Sequence, residues 1–475
     1  MGIAAEPVHP SSTPAHTKKR KEGPPTGMGK ISPAFKSFLA EAGPQDRREG
    51  IVVYRTPKAS ETPVRGNILE IRRRLAQVRA RAATGQKKAE AELFEGVQKL
   101  GKRTVQGEAI TFAGIGGKLL PIATVQVTAK MLPELAQRPD VVAIMPNQRV
   151  RLIRPRAIDY GRLGAQQTKD GITWGLKQLR IPEIWTKSKG KGVRVAVMDT
   201  GVHGEHPALA GRVKDFVLID TVARRIETSA PFDASSHGTH VCGIIAGGKI
   251  DNKISIGVAP EADLLVGAVL IGDSTLQMLL AGIGWAVEKG ANIISMSLGF
   301  DYYEPMFATI FEDLLDYGII PVVAIGNENH GNSSSPGNAW NALSVGAVEK
   351  MPRGNLEVAA FSSGASLVFP GSEPNALVTK PDVVAPGVQI LSCSPPVKRK
   401  SGTYDYSYMD GTSMATPYVA GVAALLMSAK PQTPARDIIE VIKTTAKHMS
   451  SPANRPDNRW GYGMVQPAEA LKALG

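Results

Sequence analysis

The sequence has little cysteine: two residues in 475, Cys242 and Cys393. Two thiols cannot build the disulfide framework of a small secreted scaffold, so that class of protein is excluded. Glycine and proline are frequent, with 49 and 34 residues, but they follow no period, which excludes a collagen-like chain. The content of hydrophobic residues, 43%, and of charged residues, 21%, excludes a wholly disordered chain.

Long hydrophobic runs are also missing. The first residues, MGIAAEPVHPSSTPAHTKKRKEG, contain no apolar stretch of signal-peptide length. A long uncharged and largely apolar stretch, residues 411–429, begins with polar residues and contains Pro417. Its apolar part is about a dozen residues, which is typical of a buried core helix rather than a membrane span. We therefore expect a cytoplasmic protein with no membrane partner.

Positive charge is concentrated in the first third of the chain. Residues 1–160 contain 28 Lys and Arg against 14 Asp and Glu, whereas residues 161–475 contain 28 and 29. Residues 1–48 are rich in Pro, Lys and Ser without a hydrophobic period, which predicts a disordered basic tail. Its run KKRK at 18–21 could bind nucleic acid, but a solvated tail is the preferred interpretation, so nucleic acid is not expected as a partner.

Residues 49–155 have the pattern of a small α+β domain. The predicted order is strand, helix, strand, helix, strand, over residues 50–54, 67–100, 119–128, 131–137 and 140–152. With room for one further strand, this order suits a ferredoxin-like domain of about one hundred residues. The polar, aperiodic residues 156–172 predict an exposed linker.

Residues 173–475 have a different pattern. Near-continuous apolar runs lie at 193–198, 263–271, 291–297 and 318–326, and helical stretches at 237–247, 275–289 and 304–317 fall between them. Strands that are apolar on both faces and alternate with helices predict an α/β fold. It should contain a parallel sheet covered by helices on both faces.

The first block that carries chemistry is VAVMDTG, residues 195–201. Its apolar strand ends in Asp199, before a glycine turn, and ligand sites in open α/β sheets lie at the carboxyl edge of the strands. Taken alone, such an aspartate is as readily a helix cap.

The second block is SHGTHVCG, residues 236–243. His237 precedes small residues that can form a tightly packed helix. His237 and His240 have the spacing of a metal pair, but no cysteine or carboxylate completes a set at the usual spacing, so zinc is not expected. A lone histidine would more often be structural.

The third block is DGTSMATP, residues 410–417, followed by an apolar helix. Ser413 would lie at a glycine-flanked turn that opens this helix. Its hydroxyl would then be near the free N–H groups and the positive helix end, where a developing oxyanion is stabilised. Taken alone, Thr-Ser before a helix is simply an N-cap.

Together, Asp199, His237 and Ser413 supply an activated nucleophile: the imidazole takes the serine proton, and the carboxylate holds the imidazole in the right tautomer. In this chain order and these surroundings, the three blocks resemble the subtilisin family of serine proteases, from about Trp174 to the end of the chain. The resemblance implies a subtilisin-like fold and a serine endopeptidase that forms an acyl-enzyme and requires no cofactor. The chain order of α/β-hydrolases does not fit.

The resemblance implies further site residues. Asn327, at the end of PVVAIGN, would donate its side-chain N–H to the oxyanion. Two segments would hold the substrate backbone between them: Ser297, Leu298 and Gly299, and Gly272, Asp273 and Ser274. The neighbouring residues are small and neutral, so we expect an apolar or uncharged P1 side chain.

One departure from the family pattern concerns calcium. The family's His-Pro-Asp segment is His206-Pro207-Ala208 here, so a usual carboxylate ligand is missing, and the loop at 247–255 also differs. Because a hard cation needs six or more oxygen ligands, we expect the usual strong calcium site to be lost. A weaker calcium site elsewhere stays open, and no metal is expected at the catalytic residues.

Residues 123–152 are similar to the propeptide of this family. The resemblance implies that residues 49–155 assist folding and inhibit the protease, that residues 149–158 occupy the active site, and that cleavage falls within 156–170. The expected partners are then protein or peptide substrates and the chain's own prodomain.

The alternative is a function of another class. A catalytically silent fold of the same family would act as a binding module, with the basic residues 1–160 contacting nucleic acid or an acidic partner. The presence of all four residues Asp199, His237, Ser413 and Asn327 favours the enzyme.

Overall fold

The computed structural model describes residues 29–56, 68–104, 110–155, 171–227, 230–250, 253–368, 377–399, 402–449 and 455–475. Most of the predicted tail, residues 1–28, and most of the predicted linker, residues 156–170, lie outside these ranges.

The N-terminal unit is built around a four-stranded antiparallel sheet. Its elements are α1 (Lys36–Glu41), β1 (Arg47–Tyr54), α2 (Ile68–Thr104), β2 (Phe112–Gly114), β3 (Ile122–Thr128), α3 (Met131–Gln137) and β4 (Val141–Pro146). The strand order β2-β3-β1-β4, with a helix after β1 and another after β3, is the β-α-β-β-α-β arrangement of ferredoxin-like folds.

Two predictions for this unit differ from the structure. The strand predicted over residues 140–152, with an interruption at Pro146, is divided there: β4 ends at Pro146, as the interruption indicates, but residues 151–152 form β5 (Arg151–Leu152), which leaves the sheet. Proline has no N–H for the ladder, so it ends the pairing there. In addition, Pro33–Phe35 and α1, assigned to the tail, are helical, because Phe35 is buried against the sheet.

The rest of the chain forms the larger unit. Its helices are α4 (Trp174–Gln178), α5 (Ile181–Ile184), α6 (His237–Ala246), α7 (Leu276–Glu288), α8 (Phe307–Asp316), α9 (Thr412–Ala429), α10 (Ala435–Thr444) and α11 (Pro467–Ala473). Its strands are β6 (Arg194–Asp199), β7 (Val213–Ile219), β8 (Arg225–Glu227), β9 (Lys249–Ile250), β10 (Ile254–Ser255), β11 (Asp263–Ala268), β12 (Ile293–Met296), β13 (Leu298–Gly299), β14 (Ile320–Ala324), β15 (Leu343–Lys350), β16 (Leu356–Val358), β17 (Ala365–Val368), β18 (Leu377–Lys380), β19 (Val383–Pro386), β20 (Ile390–Arg399) and β21 (Gly402–Met409).

A nine-stranded sheet forms the centre of this unit. Its order is β16-β15-β14-β12-β6-β11-β7-β8, with β19 paired to β15. The pairs within it are parallel except at β8 and β16. The predicted α/β class and the four predicted central strands are therefore confirmed.

Both faces of the sheet are covered by helices. In β6, Val195 and Val197 belong to the hydrophobic cluster that contains α6 and α9, whereas Ala196 and Met198 belong to the cluster of α7 and α8. Alternate side chains of a strand point to opposite faces, so a strand buried on both faces must be apolar throughout.

The N-terminal sheet packs on the outer side of α7 and α8. Ile51, Val53 and Met145 belong to the same hydrophobic cluster as these helices, and the other face of the sheet packs on α2 and α3. One apolar cluster thus runs from the small sheet into the large unit.

Among the described residues, α9 is long and apolar enough to cross a membrane by length and composition alone. Of its most apolar window, 83% is buried inside the protein. It is the central helix of one core cluster.

Candidate active site

Asp199 and His237 form a buried pair at the carboxyl edge of the large sheet. Asp199 is the last residue of β6 and His237 is the first residue of α6. His237 Nδ1 lies 2.8 Å from Asp199 Oδ1 and 3.0 Å from Oδ2. An imidazole held in this way presents Nε2 to the other side of the ring.

Two glycines permit this close approach of strand and helix. Gly201 has φ +117°, and a side chain there would overlap the carbonyl oxygen of Phe232. A Cβ at Gly238 would overlap the carbonyl oxygen of Gly201. Only glycine fits at these two positions, so the glycines beside Asp199 and His237 fix the pair's geometry.

Asp233 links the two elements and was not predicted as a site residue. Its Oδ1 accepts a 2.6 Å hydrogen bond from Thr200 Oγ1, and its Oδ2 accepts from Thr239 N at 2.8 Å. Thr200 N donates in turn to Asp199 Oδ1 at 2.7 Å. The sequence offered one sign of this role: Asp233 lies four residues before His237, in DASSH.

Ser413 is buried at the start of α9. Its Oγ donates to the carbonyl oxygen of Ile153 at 2.9 Å and lies 3.4 Å from the carbonyl oxygen of Ser297. His237 Nε2 is buried and has no hydrogen-bond partner among the described residues. The serine hydroxyl therefore points to the N-terminal segment and not to the imidazole.

Asn327 follows β14 and faces the same segment. Its Nδ2 donates to the carbonyl oxygen of Arg154 at 3.0 Å. Its Oδ1 accepts from Thr412 N and Thr412 Oγ1, both at 2.9 Å. These two bonds fix the amide beside Ser413 with its N–H directed into the cleft.

Residues 149–155 of the N-terminal unit occupy this cleft. They line a cavity of about 970 Å³ together with His237 and Asn327. In the β5–β13 pair, Leu152 lies opposite Leu298 and Arg151 opposite Gly299, with the strands antiparallel. The occupant is thus bound as an added strand, which is how extended peptides bind to sheet edges.

The two predicted substrate segments lie on either side of this occupant. Ser297 accepts a 3.4 Å hydrogen bond at its carbonyl from Ile153 N, and Ser274 accepts one of 3.0 Å from Val150 N. Asp273 Oδ1 lies 3.5 Å from Arg149 Nη2, and Gly272 lines the same cavity. The structure therefore brings all the predicted site residues together.

His240 does not form a metal pair with His237. Its Nε2 lies 3.0 Å from the carbonyl oxygen of Ile390 and 3.1 Å from that of Ser407. Burial lowers the pKa of His240 to about 3, so this ring is neutral. The described residues contain no group of three or more His, Cys, Asp or Glu placed to hold a metal ion.

The calcium-site departure has a structural counterpart. His206 Nδ1 accepts a hydrogen bond from Ala208 N, and its Nε2 lies 2.9 Å from the carbonyl oxygen of Asp405. Ala208 offers no carboxylate, and two residues of the partner loop, 251–252, lie outside the described ranges. The loss of the family's strong calcium site therefore stays a prediction, which rests on the missing carboxylate at position 208.

The two cysteines, Cys242 and Cys393, are buried and free. Burial raises the pKa of both thiols. A thiol that stays protonated is a poor nucleophile, so Cys242 in α6 and Cys393 in β20 are packing residues of the core.

A buried carboxylate, an imidazole and a serine lie at the edge of a helix-covered parallel sheet, with an extended peptide across them, and this arrangement is typical of a serine peptidase. A family model described as the subtilase family matches residues 190–463. The chain belongs to the subtilase family.

Three relatives illustrate the similarity. The chain is 33% identical over 293 residues to an intracellular serine protease of Paenibacillus polymyxa, which covers 60% of this chain and 81% of the relative. It is 33% identical to subtilisin E of Bacillus subtilis, over 60% of this chain and 69% of the relative. Thermitase of Thermoactinomyces vulgaris is 32% identical, over 63% of this chain and 95% of the relative.

Among solved structures, that of fervidolysin from Fervidobacterium pennivorans is similar, with a TM-score of 0.65. It is described as a keratinolytic enzyme related to subtilisin. The match covers 90% of this chain and 61% of that one, at 24% identity, and so supports the fold. The protein is therefore a subtilisin-like serine endopeptidase, a class that needs no cofactor for catalysis.

Proposed function

We propose that this endopeptidase uses Asp199, His237 and Ser413 as its triad and is made as a self-processing, autoinhibited zymogen. One observation carries the proposal: Ser413 Oγ lies 2.9 Å from the carbonyl oxygen of Ile153, within a segment bound as a strand. The serine hydroxyl is thus in contact with a peptide carbonyl, and the imidazole of His237 has a buried Nε2 that no described residue bonds.

The chemistry follows from the geometry. For the reaction the Ser413 hydroxyl must turn from this carbonyl oxygen to the unbonded Nε2 of His237, which takes the proton as Oγ attacks the carbonyl carbon. The peptide C–N bond then breaks, the leaving amine receives that proton, and an acyl-serine forms. Water hydrolyses this ester in a second step, with His237 again as base.

Two donors of the cleft would stabilise the oxyanion. The Nδ2 of Asn327 donates to the carbonyl oxygen of Arg154, the residue after Ile153, and the backbone N–H of Ser413 is at the start of α9. We propose that both turn to the Ile153 oxyanion as it forms. The helix end adds a positive potential. Asp199 is buried and holds the Nδ1 side of the ring, which stabilises the imidazolium as it forms.

The strand register supports a proposal for the bond that reacts. With Ile153 N on the carbonyl of Ser297 and Arg151 opposite Gly299, Ile153 is the P1 residue and Arg154 is P1′. We propose first cleavage at Ile153–Arg154. The earlier expectation, cleavage within 156–170, falls on residues outside the described ranges. An aliphatic P1 agrees with the predicted preference for uncharged side chains.

The rest of the N-terminal unit, residues 29–148, acts as the inhibitor that holds this segment. Its sheet packs on α7 and α8 through apolar side chains, and Asn147 Oδ1 accepts a hydrogen bond from Gln277 N at the start of α7. A substrate cannot enter the cleft while residues 149–155 occupy it.

Intact mass of the purified protein tests this proposal, with Ser413→Ala beside wild type and Ser428→Ala, on the same helix, as control. Wild type and control should lose a piece ending at Ile153, and Ser413→Ala should stay whole. A fluorophosphonate probe should label the processed chain only. Processing of Ser413→Ala at the wild-type rate, or failure of the probe to label any wild-type protein, would refute the triad and support the silent binding module.

We propose the cytoplasm as the site of action and proteins or peptides as substrates. The P. polymyxa relative, named as an intracellular protease, supports the location. No observation favours nucleic acid or a membrane as partner, and calcium dependence stays a prediction.

A further inference from the structure

The side chains that line the cleft have a pattern of charge. The backbone hydrogen bonds that hold residues 149–155 do not depend on this charge. Among the described residues of the large unit that line the cavity, Asp273, Asp301 and Glu328 are acidic, and none is Lys or Arg. The whole stretch 161–475 is nearly neutral, with 28 basic and 29 acidic residues. The acidic lining is therefore a local property of the cleft.

The occupant carries the opposite charge. Its sequence from residue 149 is RVRLIRP, in which Arg149, Arg151 and Arg154 alternate with apolar residues. By the register given above these three are the P5, P3 and P1′ side chains. Val150 and Ile153, at P4 and P1, are buried, whereas Arg151 and Arg154 are exposed. Apolar side chains thus face the enzyme and basic ones face its rim.

One of the three arginines has an acidic partner at ion-pair distance, and the other two are held by segments that carry an acidic residue nearby in sequence. Arg149 Nη2 lies 3.5 Å from Asp273 Oδ1. Asp301 follows Gly299, the strand partner of Arg151, by two residues. Glu328 follows Asn327, whose amide donates to the carbonyl of Arg154. Complementary charge on both sides of one strand selects among peptides that all make the same backbone bonds.

We propose that Asp273, Asp301 and Glu328 are specificity-determining residues. They direct the enzyme to basic substrates that have Arg or Lys at P5, P3 and P1′ around aliphatic P4 and P1 residues. This inference rests on the proposed function, because it concerns the same cleft. The substrate class is an extended basic segment in which aliphatic and cationic side chains alternate.

The expected effect is moderate at each position. Exposed ion pairs contribute up to about fivefold each to binding, because water and salt screen them. Three positions together should give on the order of tenfold or more in kcat/KM at low salt, and much less at 0.5 M NaCl.

The test compares two fluorogenic peptides on the processed enzyme. One carries the sequence of residues 148–157, and the other has Gln in place of Arg149, Arg151 and Arg154. The triple variant Asp273→Asn, Asp301→Asn, Glu328→Gln is measured beside Glu357→Gln, which changes an exposed acid on β16, far along the sheet. Wild type and Glu357→Gln should prefer the basic peptide at least tenfold. The triple variant should cleave both peptides with kcat/KM values within about twofold of each other.

Equal kcat/KM for both peptides in wild type, or an unchanged preference in the triple variant, would overturn the inference while leaving the peptidase intact. Failure to cleave either peptide, in protein that the fluorophosphonate probe does not label, would instead refute the proposed function. Labelled protein that cleaves only the Gln peptide also overturns the inference.

Discussion

The guanidinium of Arg79 donates a 3.3 Å hydrogen bond to the carbonyl oxygen of Tyr317, which joins α2 of the N-terminal unit to the end of α8. The same nitrogen donates to the carbonyl oxygen of Ala291, just after α7. Arg79 is buried, and burial lowers its pKa to about 10, so it is still charged at neutral pH. A cation suits the negative ends of two helices.

Arg79→Ala should weaken the binding of the N-terminal unit to the large unit without changing any residue of the cleft. Loss of a charged donor to buried carbonyls costs roughly 1.5–3 kcal/mol, which is about 10- to 100-fold in affinity. Mass spectrometry gives the time of cleavage, and a peptide assay gives the time of full activity. The delay between these two times should be shorter in Arg79→Ala than in wild type. Arg81→Ala changes an exposed arginine of the same helix and should leave the delay unchanged. An equal delay in both variants would contradict this prediction.

Glu304 gives the fold a pH-dependent contact. The Ser32 hydroxyl donates to Glu304 Oε2 at 2.6 Å across the two units, and burial raises the pKa of Glu304 to about 7. In the unfolded chain this carboxyl has its ordinary pKa of 4.5. The folded state therefore binds the proton more tightly than the unfolded state. The contribution of this proton to the free energy of unfolding is complete below pH 4.5 and is lost as pH rises to about 7.

Thermal unfolding of Ser413→Ala, with and without Glu304→Gln, measures this effect in an uncleaved chain. From pH 5 to pH 8 the chain with Glu304 should lose stability relative to the Gln variant, by at most roughly 3 kcal/mol. Parallel curves for the two proteins over this range would contradict the assignment. Tyr302 and Tyr303 are titratable groups near this carboxyl, and Arg48 lies near Tyr302.

Asp233 should act as a positioning residue, because its bonds to Thr200 and Thr239 hold the ends of β6 and α6 together. Asp233→Asn should lower kcat about tenfold with little change in KM, since a lost charged hydrogen bond costs roughly 1–2 kcal/mol. Thr200→Val should do the same, whereas Thr200→Ser keeps the hydroxyl and should restore the rate. Equal kcat values for Thr200→Val and Thr200→Ser would show that Asp233 does not position the catalytic residues through the Thr200 hydroxyl.

Asn327→Ala tests the oxyanion donor. Removing one such donor costs on the order of 10²–10³ in kcat in enzymes where it has been measured. KM should stay nearly constant, since the donor acts mainly on the transition state. Asn355→Ala, an exposed asparagine distant from the cleft, serves as control. A loss below about threefold would show that the backbone N–H of Ser413 suffices.

The sequence was most informative where chemistry and structure are local. Asp199, His237 and Ser413 each lie in a short block with glycines that only a tight strand–helix junction requires. The central strands were readable because burial on both faces leaves a continuous apolar run. These features depend on neighbours within a few residues.

Contacts between distant residues could not be read in this way. Arg79 has the same pattern as the other arginines of α2, yet it is buried against a helix end more than 200 residues later in the chain. Glu304 and Ser32 carry no local signal for their pairing. The departure of β5 from its sheet depends on the edge offered by β13, which the local sequence does not reveal.

The strand pairing of residues 151–152 with 298–299 has a consequence for the concentration dependence of activity. While the chain is whole, the blocking segment is tethered, and its effective concentration is on the order of millimolar whatever the amount of protein. Once the bond is cut, the same contacts belong to a bimolecular complex. Dilution then releases the cleft, so the specific activity of a freshly cleaved sample should rise as its concentration falls.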